Sequence, residues 1–359
     1  MKIIFVLPSI YGGGAERVVT LLSEHFVTKK IDVTIISNTY VKADYQVSSG
    51  VKVVPFFTTE SQTKSKLSIF RQIRCVRREM KKNSDAIVVG VMPMMFLIVV
   101  IASFLLKNKI VASDHTSFER PLKWHINFIR KYVYKMADAV TVLTQADYDY
   151  IGKGLKNKFV LPNPLAFTPV ASIKDGKQNK ILAVGRLDVW YVKGFDILID
   201  AWSRIADKHR NWILEIAGKG NEESLFFLQK LTEDLGVSES VLFSGFHNDI
   251  DKIMRESSIF ALTSRHEGFG MVLIEAMSQG CSCVSFDCGG RQKEIITDST
   301  YGIIVENHDV FALSCALDRL IDNEKLRLEL AQNGMELVGK YNIDIIAQKW
   351  ILMFQSLRA

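Results

Sequence analysis

The sequence SRHEGFGMVLIEAMSQ, residues 264–279, decides the fold of the second half of the chain. An apolar run at residues 259–262 precedes it and Gly280 follows it, so the pattern predicts a buried strand, a polar turn and a short helix. Gly268 and Gly270 leave the turn without side chains, which allows backbone N–H groups to approach a ligand. Because the amino end of a helix carries unpaired donors and roughly half a positive charge, the turn is a favourable place for a phosphate.

Two acidic residues accompany this turn. Glu267 lies within it, and Glu275 lies about two helical turns further along the chain. A carboxylate repels a phosphate, but it accepts hydrogen bonds from the vicinal hydroxyls of a sugar. The stretch therefore predicts a ligand that joins sugar, phosphate and nucleoside, whereas the simpler interpretation is a strand and helix with surface carboxylates.

The charge of the chain is divided unevenly. Of its 359 residues, the first 165 contain 24 basic and 12 acidic side chains, whereas the remainder contain 21 basic and 27 acidic ones. This length allows two ordinary domains, and the charge difference supports a division between them. The basic half is expected to meet an anionic membrane surface or a phosphate-bearing acceptor. Nucleic acid is not expected as a partner, because no helix-turn-helix, zinc or aromatic RNA-binding motif occurs.

The amino terminus begins with a strand at residues 2–7, a glycine-rich turn and a helix at residues 15–26. This order is the opening of a Rossmann-like unit, although the third glycine of the dinucleotide fingerprint is absent. Gly13 and Gly14 therefore indicate either a loop that approaches a ligand or a merely tight turn. A signal peptide is not expected, because the apolar run is too short, and the five cysteines are expected to be buried, reduced thiols of a cytoplasmic protein.

Two further segments of the first half raise the question of a membrane. Residues 67–82 predict a basic amphipathic helix, which either lies on an anionic membrane or packs on a sheet with its charges in water. Residues 86–106 contain no charge and are long enough to span a bilayer. Gly90 and Pro93 interrupt this run near its start, however, and a strand follows at residues 110–113, so we predict an ordinary strand–helix–strand unit.

Polar side chains stand at the carboxyl ends of predicted strands, where open parallel sheets bind their ligands. Asp114 and His115 close one such strand, although a lone histidine is more often structural. Arg186 follows the predicted strand at residues 180–185, and Lys193 opens the next helix. Two cations beside one strand-end turn suit a diphosphate.

This set of motifs resembles the family 4 retaining glycosyltransferases of the GT-B fold. The resemblance rests on Glu267, Gly-Phe-Gly and Glu275, on the turn from Arg186 to Lys193, and on the amino-terminal glycine turn. It implies an α/β protein of two Rossmann-like parallel-sheet domains that face a central cleft. The implied boundaries are residues 1–165 for an acceptor-side domain, 166–340 for a nucleotide-sugar domain, and 341–359 for a helix that crosses back to the first domain.

The resemblance implies a retaining enzyme that moves a hexose or an N-acetylhexosamine from a nucleotide-diphosphate sugar, expected to be a UDP-sugar. The expected acceptor is a glycan or a polyprenyl-diphosphate-linked lipid of surface-polysaccharide biosynthesis, in lipopolysaccharide or capsule. The nucleotide sugar is a co-substrate, and neither a cofactor nor a metal is expected. Such an enzyme would be cytoplasmic and peripheral at the inner face of the membrane, which its basic amino-terminal domain would contact.

The family pattern also implies roles for individual residues. Glu267 and His115 would contact the transferred sugar, while Arg186 and Lys193 would stabilise the leaving diphosphate, and these four are the predicted catalytic residues. The predicted substrate-binding residues are Gly13, Gly14, Asp114, Gly218, Gly268, Phe269, Gly270 and Glu275. Arg291 stands where the family often has proline, and it is expected either to contact the anion or to be solvated.

Three other functions stay open. A nucleotide-sugar epimerase of the same architecture would form an epimer without any acceptor. A non-catalytic glycan-binding relative would bind glycan without turnover. An integral membrane protein would require detergent for solubility.

Overall fold

The computed structural model describes residues 1–10, 13–39, 47–57, 59–63, 67–155 and 157–358. The chain divides into two compact units, each built on a parallel sheet. Unit 1 comprises Met1–Ala166 and Tyr341–Ala359, and unit 2 comprises Phe167–Lys340. Both units are Rossmann-like, as the sequence predicts, because parallel strands alternate with helices along the chain.

Unit 1 contains a seven-stranded sheet with the order β3-β2-β1-β4-β5-β6-β7. Its strands are β1 (Lys2–Ser9), β2 (Asp32–Asn38), β3 (Lys52–Pro55), β4 (Ile87–Val91), β5 (Ile110–Ser113), β6 (Ala139–Val142) and β7 (Lys158–Val160). The α-helices between them are α1 (Gly14–Thr28), α2 (Glu60–Thr63), α3 (Ser68–Lys82), α4 (Pro93–Ser103), α5 (Trp124–Tyr132) and α6 (Gln145–Ile151). The strand order reverses between β1 and β4, which places the switch point of the sheet, and with it the expected ligand edge, beside β1.

The uncharged run of residues 86–106 forms the centre of unit 1. All five residues of β4 are buried, and α4 packs on β4 and β5 and against α3. A Cβ added at Gly90 would lie 2.5 Å from the Cα of Phe96, so glycine lets α4 approach the strand. α4 has 11 residues, and no helix in the described part of the chain combines the length and the apolar character that a membrane span needs. The predicted strand–helix–strand unit is therefore confirmed.

Unit 2 contains a six-stranded sheet with the order β10-β9-β8-β11-β12-β13. Its strands are β8 (Gln178–Val184), β9 (Ile213–Ala217), β10 (Val241–Gly245), β11 (Ser257–Leu262), β12 (Ser282–Asp287) and β13 (Ile303–Glu306). Its α-helices are α7 (Trp190–Lys193), α8 (Phe195–Ser203), α9 (Glu222–Asp234), α10 (Ile250–Glu256), α11 (Met271–Ser278), α12 (Val310–Asp322) and α13 (Glu324–Leu337). The order reverses between β8 and β11, so the loops that follow these two strands start side by side.

The carboxyl-terminal helix, α14 (Ile343–Ser356), belongs to unit 1. Its Trp350 and Phe354 are buried, and their rings meet Phe5 of β1 and Phe26 of α1 edge-on, with centroids 6.4 Å and 6.1 Å apart. Edge-on aromatic pairs add stability beyond the apolar area that they bury. α14 is thus part of the core of a unit whose strands lie far away in sequence.

The expectation of five buried thiols is wrong for one cysteine. Four cysteines are buried, but Cys315 is exposed on α12. The buried stripe of this helix includes Leu313, Leu317 and Leu320, and position 315 falls on the opposite side of the helical turn. The helical period therefore brings Cys315 to the surface.

Candidate functional site

The loops that follow β8 and β11 form the centre of the candidate site in unit 2. The two strands pair in parallel, with Ile181 opposite Ile259, so both end at the same edge of the sheet. The loop after β8 leads through α7 to Lys193, and the loop after β11 carries Ser264 and Glu267. The topology thus brings together side chains that lie about seventy positions apart in sequence.

Lys193 and Glu267 meet at this edge. The ammonium nitrogen of Lys193 lies 2.6 Å from Oε1 of Glu267, and the hydroxyl of Ser264 donates to the same oxygen over 2.7 Å. The Lys193 and Glu267 side chains are 23% and 14% exposed, so the pair is partly shielded from water but still accessible. Partial burial strengthens their attraction relative to that of a surface pair. A cation that suits a phosphate and a carboxylate that suits sugar hydroxyls therefore lie side by side.

A thiol lies next to this pair. Sγ of Cys288 donates to the carbonyl oxygen of Ser264 over 2.8 Å. Burial raises the pKa of the Cys288 thiol to about 12, and the nearby Glu267 carboxylate acts in the same direction. Because a thiol attacks as the thiolate, Cys288 is not a nucleophile at neutral pH.

Arg186 lies just beyond β8, where it is engaged with a neighbour. Its Nε donates to the carboxylate of Asp188 over 3.0 Å, and Nη2 makes a second contact with the other oxygen. The Arg186 side chain is 61% exposed, and its hydrogen bonds hold the pKa of Asp188 below the ordinary value. Exposed pairs of this kind contribute little stability, so Arg186 can exchange Asp188 for another anion at small cost.

Two glycines allow the loops of the site to pack on each other. Gly194 has a φ of +66°, and a Cβ added there would lie 1.9 Å from the carbonyl oxygen of Thr263. A Cβ added at Gly218 would lie 1.8 Å from the carbonyl oxygen of Gly185. Only glycine permits such a backbone approach. Gly218 therefore has a packing requirement of its own, and its contact with substrate stays a prediction.

The turn at residues 268–270 leads into α11. Gly270 has a φ of +95° and is the N-cap residue of this helix. Phe269 is 3% exposed, so it is buried in the core of unit 2. Glu275 is buried within α11. The assignment of Gly268, Phe269, Gly270 and Glu275 to substrate binding stays a prediction.

In unit 1, His115 follows β5, and its Nε2 lies 3.1 Å from the hydroxyl of Ser113. Burial lowers the pKa of His115 to about 4, a change that the neighbouring Asp114 carboxylate only partly opposes. The imidazole is therefore neutral at pH 7 and is able to exchange hydrogen bonds without carrying charge. A contact between His115 and the transferred sugar stays a prediction.

Asp114 is enclosed within unit 1. The guanidinium of Arg130 donates to both carboxylate oxygens, over 2.8 Å and 2.9 Å, and the hydroxyl of Tyr134 donates over 2.9 Å. The backbone N–H of Thr116 adds a further hydrogen bond of 3.1 Å. The carboxylate is buried, and these four donors hold it in the loop that carries His115. A contact between Asp114 and substrate stays a prediction.

Gly13 and Gly14 stand at the start of α1, where Gly13 is the N-cap residue. A Cβ added at Gly13 would lie 1.9 Å from Oε2 of Glu16, so this carboxylate covers the glycine. Burial raises the pKa of Glu16. A carboxylate at this place disfavours a phosphate at the amino end of α1, and Gly12 lies outside the described residues.

Comparison with known proteins assigns the chain to a family. The family model for glycosyl transferases group 1 matches residues 167–337, and the model for Glycosyltransferase Family 4 matches residues 12–165. The amylovoran biosynthesis glycosyltransferase AmsD of Erwinia amylovora is 30% identical over 348 residues, which cover 94% of this chain and 95% of that protein. The protein belongs to glycosyltransferase family 4.

Other relatives of this glycosyltransferase agree in sequence and fold. An α-1,4-N-acetyl-D-galactosaminyltransferase of Campylobacter jejuni is 25% identical over 366 residues, covering 100% of this chain and 99% of that one. TarM of S. aureus, in a crystal structure that contains UDP, matches with a TM-score of 0.80 at 15% identity over 98% of this chain and 99% of its own. HepE of Anabaena with UDP and glucose matches with a TM-score of 0.79 at 20% identity, over 99% of this chain and 100% of its own. The glycosyltransferase therefore has the GT-B fold.

The partners of two arginines of the glycosyltransferase could not be predicted from the sequence. Arg291, expected to be solvated or to contact the anion, is 2% exposed and donates to the carbonyl oxygen of Cys288 over 2.9 Å. Arg265 forms an ion pair with Asp196, on a different loop. The partner of Arg291 is a backbone carbonyl, which every residue has, so the sequence gives no sign of it. The partner of Arg265 is an acid 69 positions away, which no local pattern indicates.

A cavity of about 250 Å³ lies beside Gly218 at the carboxyl ends of β8, β9 and β10. Apolar side chains and glycines form most of its lining, among them Leu187, Gly220, Phe243 and Phe246, and Lys219 adds one charged side chain. A mostly apolar lining with a polar group suits the flat face of a ring.

Proposed function

We propose that this glycosyltransferase transfers a hexose or an N-acetylhexosamine from a UDP-sugar to a lipid-linked glycan, with retention of configuration and without a metal ion. The observation that carries the proposal is the 2.6 Å contact between Lys193 and Glu267, on loops that start side by side at the switch between β8 and β11. An ammonium suits the departing diphosphate, and a carboxylate suits the hydroxyls of the transferred sugar.

Stabilisation of the leaving group is the main chemical demand. As the glycosidic bond breaks, negative charge grows on the diphosphate, and fixed cations aimed at this charge lower the barrier. Lys193 supplies one full charge, and the amino end of α11 at Gly270 supplies a partial one. Arg186 supplies a second full charge when it exchanges Asp188 for a phosphate. These groups together take the role that a metal ion would otherwise have.

Retention is proposed to follow from attack on the face of the sugar that the diphosphate leaves. Cys288 stays protonated, and the Glu267 carboxylate is bound by Lys193 and Ser264, so neither offers a free nucleophile. The departing phosphate oxygen then takes the proton of the acceptor hydroxyl. The new glycosidic bond forms as the old one breaks, and both lie on the same face.

The names of the relatives support this choice of substrates. The Campylobacter protein is named for a glycan joined through PP to undecaprenol, and AmsD is named for amylovoran biosynthesis. TarM and HepE contain UDP in their solved structures. We therefore propose a polyprenyl-diphosphate-linked acceptor in surface-polysaccharide assembly, with the uracil of the donor in the cavity beside Gly218 and Phe246.

The proposal predicts acceptor-dependent release of UDP from one donor in a panel of UDP-hexoses and UDP-N-acetylhexosamines. The assay uses the full chain and an undecaprenyl-diphosphate-linked glycan, with and without EDTA, and NMR gives the configuration of the product. We expect the anomeric configuration of the donor to persist and the rate to be the same in EDTA. An inverted product, or a rate that vanishes in EDTA, would contradict the mechanism. Formation of an epimer without acceptor would identify an epimerase instead.

We also propose that unit 1 rests on an anionic membrane through α3, which makes the enzyme peripheral at the inner face of the cytoplasmic membrane. α3 buries Val76 and Met80, but Phe70 near its amino end is 69% exposed. Arg71 and Arg74 are exposed on the same helix, and within the described ranges they pair with no acidic side chain. An exposed ring beside free cations is typical of a helix that lies in the headgroup region.

The end of α4 extends the apolar part of this surface. Phe104 and Leu105, directly after α4, are among the most exposed large apolar side chains of unit 1. Arg77 of α3 donates to the carbonyl oxygens of Ala102 and Phe104 over 2.7 Å each, which ties the two helices together. Apolar side chains and cations on two joined helices therefore favour a membrane surface over bulk water.

Replacing Arg71 and Arg74 together by glutamine should weaken binding to vesicles that contain phosphatidylglycerol by roughly ten- to thirtyfold, because each cation contributes about 1 kcal/mol near such a surface. Flotation measures the bound fraction. The matched control replaces Lys30 and Lys153, two exposed cations outside α3, and should retain most of the binding. Equal loss in both double variants, or equal binding of the unaltered protein to phosphatidylcholine vesicles, would count against the proposal.

A further inference from the structure

A second charged pair joins the two loops that carry Lys193 and Glu267. Nη1 and Nη2 of Arg265 each lie 2.7 Å from one carboxylate oxygen of Asp196. Arg265 stands two residues before Glu267, and Asp196 stands three residues after Lys193. The Arg265 and Asp196 side chains are 9% and 23% exposed, so water screens this pair only weakly.

Arg265 also holds the short helix that precedes Lys193. Its Nη1 donates to the carbonyl oxygen of Tyr191 over 2.5 Å, and its guanidinium carbon lies 4.0 Å from the centre of the Tyr191 ring. Its backbone N–H donates to the carbonyl oxygen of Val192 over 2.8 Å. One arginine therefore fixes both residues directly before Lys193 through hydrogen bonds and a cation–π contact.

The backbone of Lys193 is fastened to the same loop. The hydroxyl of Thr263 donates to the carbonyl oxygen of Lys193 over 3.1 Å, and Gly194 packs against the backbone of Thr263. The side chain of Asn307 donates to the carbonyl oxygen of Arg265 over 3.2 Å. The long, flexible lysine side chain thus starts from a rigid base, and this base depends on the loop after β11.

We propose that the Arg265–Asp196 pair is a positioning device that sets where the Lys193 ammonium stands relative to the Glu267 carboxylate. This inference rests on the proposed function, in which these two groups face the diphosphate and the sugar. The pair itself acts through Lys193 and not on the substrate. Displacement of a catalytic group by about 1 Å can slow a reaction by about 10²-fold, so a rigid support has a measurable effect on rate.

Asp196→Asn tests the proposal, because it keeps the size of the side chain and removes the charge that binds the guanidinium fork. We expect kcat for sugar transfer to fall by about ten- to hundredfold, with the KM for the donor changed less than kcat. Arg265→Lys should give a similar loss, since it keeps the charge but not the fork. The matched control is Asp200→Asn on the same helix, which breaks an exposed pair with Arg204 (3.0 Å) and should leave kcat unchanged.

A double-mutant cycle separates positioning from a merely structural role. In the Lys193→Ala background, Asp196→Asn should change kcat by less than about twofold, because no ammonium remains to be positioned. If Asp196→Asn lowered kcat by the same factor in both backgrounds, the proposal would be overturned. If Asp196→Asn does not fold, as judged by thermal unfolding, the cycle is completed with Arg265→Lys.

Chemical labelling of Lys193 tests the positioning role without any measurement of sugar transfer, so this role and the proposed function can fail separately. Lys193 is labelled with acetic anhydride and quantified by mass spectrometry. We expect its ammonium, held 2.6 Å from Glu267, to react several times faster in Asp196→Asn than in the unaltered protein, and at the original rate in Asp200→Asn. Equal labelling of Lys193 in all three proteins would overturn the positioning role even if sugar transfer is confirmed.

Discussion

Replacing Lys193 by alanine should lower kcat for sugar transfer by about 10²–10³-fold while the protein stays folded. The ammonium is the partly shielded cation beside Glu267, and its charge is not duplicated by the exposed guanidinium of Arg186. Loss of one charged donor aimed at a developing anion raises the barrier by about 2.7–4 kcal/mol in comparable sites. Single-turnover kinetics with saturating donor would measure the chemical step directly.

The control for this variant is Lys230→Ala, which removes an exposed lysine of α9 that lies 3.9 Å from Asp234. It should transfer sugar at the rate of the unaltered protein, since surface pairs contribute little. Calorimetric binding of UDP to Lys193→Ala would show whether ground-state affinity falls with the rate. Normal turnover in Lys193→Ala would remove Lys193 from the catalytic residues.

Replacing Asp114 by asparagine should destabilise unit 1 by about 3–5 kcal/mol, because the Arg130 guanidinium would be left buried without its counter-charge. Arg130 is 6% exposed, and Asp114 is the carboxylate that receives two of its N–H groups. Hydrogen exchange of the β5 and β6 amides would measure the loss of stability within unit 1 alone. A local measurement is needed because a chain of two units need not unfold in one step.

Asp85→Asn serves as the matched control, since Asp85 forms an exposed ion pair with Lys2 at 3.0 Å in the same unit. Its exchange rates should match those of the unaltered protein. If Asp114→Asn instead kept its stability and lost only sugar transfer, Asp114 would act on substrate, as the sequence predicts, and the structural role would be wrong.

The sequence was sufficient to predict the two parallel sheets and several elements close to their true bounds. The strand at residues 110–113 and the helix of residues 94–106 follow from uninterrupted apolar runs and from the breakers Gly90 and Pro93. Such patterns are local, because a buried parallel strand must be apolar along its whole length. The strand-end position of Glu267 follows in the same way, since it lies shortly after the apolar run of β11. Lys193 is expected to open a helix, but it is the last residue of the short helix α7, which separates it from β8.

The partners of the charged residues could not be predicted in the same way. From the sequence, Asp114 is expected to be an available acid at the end of a strand. In the structure, Arg130 and Tyr134 donate hydrogen bonds to its carboxylate. Arg265 lies in a polar turn, and the sequence does not show that its partner is Asp196 on the neighbouring loop. These pairs depend on which strands are neighbours in the sheet, and the order of strands is not encoded by any local period.

Helix α14 has a consequence for synthesis on the ribosome. Its Trp350 and Phe354 complete a core that β1 and α1 begin, and all of unit 2 is translated between them. Unit 2 is therefore contiguous in the nascent chain and is able to fold as soon as it emerges. The aromatic core of unit 1 closes only after α14 has left the exit tunnel, so the nascent first unit keeps Phe5 and Phe26 uncovered on that side until α14 emerges.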